Sequence, residues 1–206
     1  MNLPFFATFV LFGIWLTIVR LRVKKKDQKP TEDFWAREKA ANETEAVSLD
    51  NLPFVILPKN DLPFINPQDD EELLEVETLL LTFSDGSRKT VNFTGKTNTD
   101  LKLEYGAANI NQLTIYDQNY TLLARSLQKW GMLLIKRDRL DDAQRVFEYA
   151  VSIGTDVSGT YKELATMYSA RKDKASLEQL LEKAESIHTP LKDSIIKNIQ
   201  STIDTI

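Results

Sequence analysis

Apolar residues recur at the three- and four-residue spacing of an amphipathic helix through most of the chain from residue 71 onward. This spacing predicts one helix over 71–83, a short helix that stops at Gly106, and a longer helix that includes 127-LQKWGMLL-134. The stretch 87–96 lacks the helical pattern and fits either a loop or one short strand. The pattern as a whole predicts an all-α domain over residues 71–206.

The C-terminal segment 189-TPLKDSIIKNIQSTIDTI-206 has the pattern of one further helix. Pro190 suits the first helical position, where its missing N–H group costs nothing. Apolar residues then follow at every fourth position, namely Leu191, Ile195, Ile199 and Ile203. We expect a helix over 190–204 that covers the end of the helical domain.

In the C-terminal third of the chain, residues of similar size recur at a fixed interval. This interval is the separation in sequence between Leu127 and Tyr161, which form the first aligned pair. The other aligned pairs are Trp130 with Leu164, Gly131 with Ala165, Leu134 with Tyr168, Ala143 with Leu177, Phe147 with Leu181, and Ala150 with Ala184. A glycine inside a helix costs about 1 kcal/mol relative to alanine, so a structural reason for Gly131 is expected. The alternative interpretation is an ordinary helical bundle in which this spacing is a coincidence.

These positions resemble the tetratricopeptide repeat, a helical hairpin that recurs at this same interval and has the pattern W-x2-L-G-x2-Y. The resemblance implies repeats at 124–157 and 158–191. It also implies that the small residue of each repeat, Gly131 in the first and Ala165 in the second, lies where the two helices of the hairpin are closest. Trp130 stands in the family's leucine position, and Thr155 replaces the usual closing proline.

The resemblance also implies a binding groove on the inward face of the first helix of each repeat. In this chain the groove residues are Arg125, Gln128, Met132, Ile135, Lys136, Lys162, Thr166 and Ser169. Many members of the family hold a C-terminal carboxylate with lysine and asparagine on this face. Met132 and Thr166 stand where those asparagines would be, so we expect no carboxylate clamp.

The N-terminal segment predicts a membrane anchor at 1–23. Residues 3–19 include no charge, and as a helix they span about 25 Å of a hydrocarbon core of about 30 Å. The cationic residues Arg20, Arg22, Lys24, Lys25, Lys26 and Lys29 all follow this run, whereas a cleaved signal peptide would have them before it. The positive-inside rule then places the N-terminus outside the cell membrane and the remaining chain in the cytoplasm.

Residues 24–70 are predicted to link the anchor to the helical domain through a basic flank, a short helix and an extended ribbon. Phe34 and Trp35 on the short helix suit either the membrane interface or a docking contact with protein. The tripeptide LPF occurs twice in residues 51–67, and four prolines there exclude a helix. We expect this apolar ribbon to lie against the helical domain, either as part of its core or as a displaceable shield of the groove.

Composition excludes several classes of site. The chain has no cysteine, one histidine (His188), and no glycine-rich phosphate-binding motif, so no catalytic, metal or cofactor residues are assigned. Residues 31–206 contain 20 basic and 29 acidic residues, and this acidic balance argues against a nucleic-acid partner.

The segments FWAREKAAN, NTDLKLEYG and YDQNYTLL are similar to a group of uncharacterised bacterial single-pass membrane proteins. This resemblance implies a bacterial cytoplasmic membrane and no particular activity. We therefore predict a membrane-anchored, non-enzymatic adaptor or scaffold that binds a protein or peptide in a groove like that of the tetratricopeptide repeat. The alternative is a structural or assembly subunit of a membrane complex, for which Gly13 and Thr17 form one pair of small residues suited to helix contact.

Overall fold

The computed structural model describes residues 12, 15, 16 and 31–206. The predicted anchor at 1–23, with its Gly13 and Thr17 pair, lies outside these residues apart from Phe12, Trp15 and Leu16. Among the helices formed by the described residues, none is both long enough and apolar enough to cross a membrane.

The chain divides into two compact units. One is formed by Met1–Val47 and Thr97–Ile110, and the other by Ser48–Lys96 and Asn111–Ile206. The described part of the chain is all-α and forms no β-strand, so residues 87–96 form a loop.

The first unit contains α1, formed by residues 31–43, and α3, Asn98–Tyr105. Thr97 caps α3 in a reciprocal capping box with Asp100. The Glu38 carboxylate accepts hydrogen bonds from the Thr99 hydroxyl and from the Lys102 ammonium, the latter at 3.1 Å. These bonds join α1 to α3, and Ala41 and Leu101 are buried.

The second unit contains α2 (Glu71–Leu81), almost all of α4 (Ile110–Lys136), α5 (Leu140–Ser152), α6 (Ser158–Ala170), α7 (Lys174–Ser186) and α8 (Lys192–Ile203). Asp70 begins α2 by accepting the Leu73 N–H at 3.1 Å and by pairing with Arg137. Helices α4, α5, α6 and α7 form two successive hairpins.

The turns of the two hairpins are equivalent, and they are separated by the same interval as the sequence repeat. Asp138 and Lys172 both adopt a left-handed backbone, with φ of 57° and 54°. In each turn the next residue donates its N–H to the fifth residue before it, from Arg139 to Leu134 at 3.0 Å and from Asp173 to Tyr168 at 2.9 Å. Both second helices begin two residues after the left-handed residue. The sequence repeat thus corresponds to a repeat in backbone geometry.

The aligned apolar positions form the core of the second unit. All of them are buried except Leu181, which packs against the core while half-buried. Gly131 is buried against the ring of Phe147 on α5, so the two helices are in close contact where the side chain is absent.

Helix α8 packs against α6 and α7, as expected for a covering helix, but it begins later than the sequence predicts. Leu191 is exposed, and its N–H bonds to the Thr189 hydroxyl at 3.3 Å in a turn before the helix. The predicted stripe therefore starts at Ile195; Ile195 and Ile199 are buried, and Ile203 is half-buried.

The ribbon of residues 51–67 packs into the second unit. Leu52, Leu57 and Leu62 are buried, and Phe64 lies against the Trp130 ring with a centroid distance of 4.5 Å. Ile56 and Ile65 are exposed, so the ribbon lies against the helices with only part of its apolar surface covered.

Side chains of the helices fix the ribbon backbone. The buried Glu77 carboxylate accepts the N–H groups of Ile65 and Asn66 at 3.1 and 2.7 Å, and Arg145 donates to the Asp61 carbonyl at 2.8 Å. The N–H groups of Val55 and Leu57 donate to backbone carbonyls at 2.8 and 3.0 Å. The ribbon therefore packs against the helices, and its Leu57 and Leu62 side chains belong to the hydrophobic core.

Candidate functional site

The predicted groove residues lie on two helices, five on α4 and three on α6. Arg125, Lys136, Lys162 and Thr166 are exposed, whereas Gln128, Met132, Ile135 and Ser169 are half-buried. We call these eight residues the α4–α6 face. The exposed members are all polar, and Met132 and Ile135 pack against the core from the surface.

Gln128 connects the two helices of this face. Its side-chain carbonyl accepts a hydrogen bond from the Thr160 hydroxyl at 2.7 Å. Gly159 lies so close that a Cβ atom there would be 2.8 Å from the Gln128 amide nitrogen. Gln128 therefore has a structural role, which sequence spacing alone does not reveal because its partner Thr160 lies on a different helix, far along the chain.

The α4–α6 face carries an excess of positive charge. Within residues 31–206, no carboxylate lies within 4.0 Å of the side-chain nitrogens of Arg125, Lys136 or Lys162. The part of α4 from residue 118 to residue 136 contains basic residues and no acidic residue. The net charge of this segment is therefore positive, whereas residues 31–206 as a whole contain 20 basic and 29 acidic residues and carry a negative net charge.

Arg125 lines a cleft of about 350 Å³. The other charged groups of this cleft are Lys96, Asp117 and Asp156, and the loop of residues 93–96 forms one wall. Burial raises the pKa of the Asp117 carboxyl, the negative charge of Asp156 raises it further, and the Phe93 N–H opposes both effects. Sequence reasoning missed Asp117 and Asp156, which lie far apart in the chain.

Asn92 fixes the loop that forms this wall. Its side-chain amide nitrogen donates to the Tyr120 hydroxyl at 2.9 Å and to the carbonyls of Ile153 and Gly154, both at 3.2 Å. The Tyr120 hydroxyl in turn donates to the Ile153 carbonyl at 3.0 Å, and burial raises the pKa of Tyr120. The loop is thus tied to α4 and to the turn between α5 and α6.

Lys162 lines a different, smaller cleft of about 190 Å³ between α6 and α8, together with Ser158, Ser194 and Asn198. The Thr166 hydroxyl bonds to the Lys162 carbonyl at 2.9 Å within α6. The structure therefore places Arg125 and Lys162 in two clefts, with the Gln128–Thr160 hydrogen bond linking α4 to α6.

Within the part of the chain that the structure describes, no group of three or more His, Asp or Glu residues is arranged to hold a metal ion. In comparisons with protein-family models, curated proteins and solved structures, nothing matches this chain.

Proposed function

We propose that this protein is a membrane-anchored, non-enzymatic interaction module of the tetratricopeptide-repeat type, and that it binds an acidic protein or peptide segment on the α4–α6 face. The observation that carries the proposal is the charge of this face: Arg125, Lys136 and Lys162 have no carboxylate partner among the described residues. An acidic segment would supply the missing negative charges.

The half-buried Met132 and Ile135 add an apolar component to the same face. Methionine adapts its shape to different partner side chains, so a peptide that alternates acidic and apolar residues suits this surface. Each exposed ion pair contributes about 0.2–1 kcal/mol, so three of them steer and orient a partner more than they determine its affinity.

The repeated left-handed turns and the close contact at Gly131 support the tetratricopeptide assignment. The uncharged run at residues 3–19 and the cations after it support the anchor and a cytoplasmic position for the domain.

The experiment is affinity purification of the full-length chain from detergent-solubilised native membranes, beside a variant with Lys136→Glu and Lys162→Glu. The control variant carries Lys174→Glu and Lys197→Glu, which change the same charge at exposed positions on α7 and α8. We expect the first variant to lose a partner that the control retains. A partner retained equally by both variants would contradict the proposed face.

A second candidate function is a subunit of a membrane complex, and one observation favours it. Phe34 and Trp35 on α1 are 53% and 64% exposed, and their rings contact each other at a centroid distance of 5.3 Å. Large aromatic side chains exposed close in sequence to a predicted anchor suit contact with another membrane protein or with the membrane interface. Removal of residues 1–30 distinguishes the two functions, because an adaptor keeps its partner and a membrane subunit loses it.

A further inference from the structure

A cleft of about 610 Å³ in the second unit shares no lining residue with the α4–α6 face. It is bounded by the loop after α2 and by the first half of α4. Its lining residues are Thr82, Ser87, Arg88, Lys89, Gln112, Ile115, Tyr116 and Asn119. This lining contains two cations and no acidic residue, whereas residues 31–206 as a whole contain 20 basic and 29 acidic residues.

Both cations lie over aromatic rings. The Arg88 guanidinium lies 5.2 Å from the centroid of the buried Phe83 ring, and the Lys89 ammonium lies 5.1 Å from the centroid of Phe54. Neither cation forms an ion pair with a carboxylate among the described residues. Asp85, the nearest acidic residue in sequence, accepts the Ser87 N–H at 2.9 Å.

The backbone that carries the two cations is fixed on both sides. The Asn119 amide donates to the Lys89 carbonyl at 2.8 Å, and the Val91 N–H donates to the Tyr116 carbonyl at 3.4 Å. On the other side, the Thr90 carbonyl accepts the Val55 N–H of the ribbon at 2.8 Å. A ligand would therefore meet cations whose positions are already ordered, which lowers the entropic cost of binding.

We propose that this cleft is a binding site for a phosphate group. Arg88 and Lys89 supply two separate positive charges, and the exposed Gln112 side chain at the rim supplies amide N–H donors. A phosphate group has more acceptor oxygens than a carboxylate and, as a monoester, carries a charge of about −1.5 to −2 at neutral pH, which matches the two cations of this cleft. The group belongs either to a soluble phosphate ester or to the headgroup of an anionic phospholipid.

The test uses the ¹⁵N-labelled full-length chain in uncharged detergent micelles, titrated with inorganic phosphate while chloride holds the ionic strength constant. We expect saturable NMR shifts at the amides of Arg88, Lys89 and Gln112, with a dissociation constant of about 1 mM or tighter, as expected for a small charged ligand. A second titration uses dihexanoylphosphatidylglycerol. The probe that saturates the site at the lower concentration identifies the source of the phosphate group.

The matched variants are Arg88→Gln with Lys89→Gln at the cleft, and Lys174→Gln with Lys197→Gln at exposed positions elsewhere. The cleft variant should bind at least about 10-fold more weakly than the control, since it loses both charge-assisted hydrogen bonds. The single variant Arg88→Gln provides the same comparison if the double variant proves less stable on thermal melting. Shifts that do not saturate with either probe, or equal binding by the cleft and control variants, would overturn the proposal.

Discussion

The ring of Phe147 occupies the space that a side chain at position 131 would require. A Cβ atom on Gly131 would lie 2.3 Å from Phe147 Cε1 and 2.4 Å from Cζ, well inside van der Waals contact. Gly131→Ala should therefore destabilise the protein by about 1–2 kcal/mol, because overpacking outweighs the gain in helix propensity. Thermal and chemical unfolding measure the change, with the exposed Glu185→Ala as a nearly silent control.

The same contact predicts a specific coupling between the two positions. Phe147→Leu removes the ring edge, so the double variant with Gly131→Ala should lose less stability than the sum of the single variants. Additive losses, or a Gly131→Ala variant as stable as the parent, would remove the reason given for this glycine.

The ribbon predicts an alternating pattern of hydrogen exchange. The amides of Val55 and Leu57 donate to Thr90 and Phe83, whereas Ile56 is 58% exposed and its N–H has no backbone partner among the described residues. We expect slow exchange at Val55 and Leu57 and faster exchange at Ile56 between them. Fast exchange at all three amides would show that the ribbon is not packed in solution.

Glu77 provides a second test of the ribbon. Glu77→Leu leaves the N–H groups of Ile65 and Asn66 without their acceptor and should cost about 1–3 kcal/mol. Glu77→Gln keeps an acceptor oxygen at the same position and should cost less. If the two variants unfold at the same temperature, the carboxylate does not anchor the ribbon.

We expect a substitution of Asp117 to stabilise the fold by an amount that depends on pH. Burial and the neighbouring Asp156 raise the pKa of Asp117, so the folded state binds this proton more tightly than the unfolded state does. The ionised carboxylate therefore disfavours folding above its raised pKa, and the effect is absent below its ordinary value of 3.8. Asp117→Asn should raise the melting temperature at pH 7, and the gain should disappear on acidification.

Asp70 serves as a comparison for Asp117, because its pKa is shifted in the opposite direction. The hydrogen bond from Arg137 lowers the pKa of Asp70, so this carboxylate stabilises the fold above its ordinary value of 3.8 and loses that effect as pH falls through the lowered value. Asp70→Asn should lower the melting temperature at pH 7. Changes of the same sign in the two variants would contradict the assigned environments.

The sequence predicted the helices from local periodicity, the close contact at Gly131 from the resemblance to the tetratricopeptide repeat, and the packing of the ribbon from its apolar residues. It placed the start of the last helix too early because Pro190 suits a first helical position and Leu191 continues the apolar spacing. Both residues instead lie in a turn, in which the Lys192 N–H donates to the Thr189 carbonyl at 3.1 Å. Apolar spacing cannot distinguish the last residue of a turn from the first residue of a helix.

The polar contacts that form the candidate sites could not be read from the sequence. Gln128 meets Thr160, and Asn92 meets Tyr120 and Ile153, across separations that only the packed helices determine. The Arg88–Lys89 cleft likewise depends on how the loop after α2 lies against α4. A single sequence carries no periodic signal for such contacts.

Site-specific photocrosslinking of the full-length chain in native membranes shows whether the α4–α6 face binds a partner. p-Benzoylphenylalanine replaces the exposed Thr166 on this face in one protein, and the exposed Glu182 on α7 in a control. We predict a discrete crosslinked protein from position 166 that is absent from position 182 and is lost when Lys136 and Lys162 are changed to glutamate. No crosslink at position 166, or the same crosslinks from both positions, would show that the α4–α6 face is not a specific binding surface.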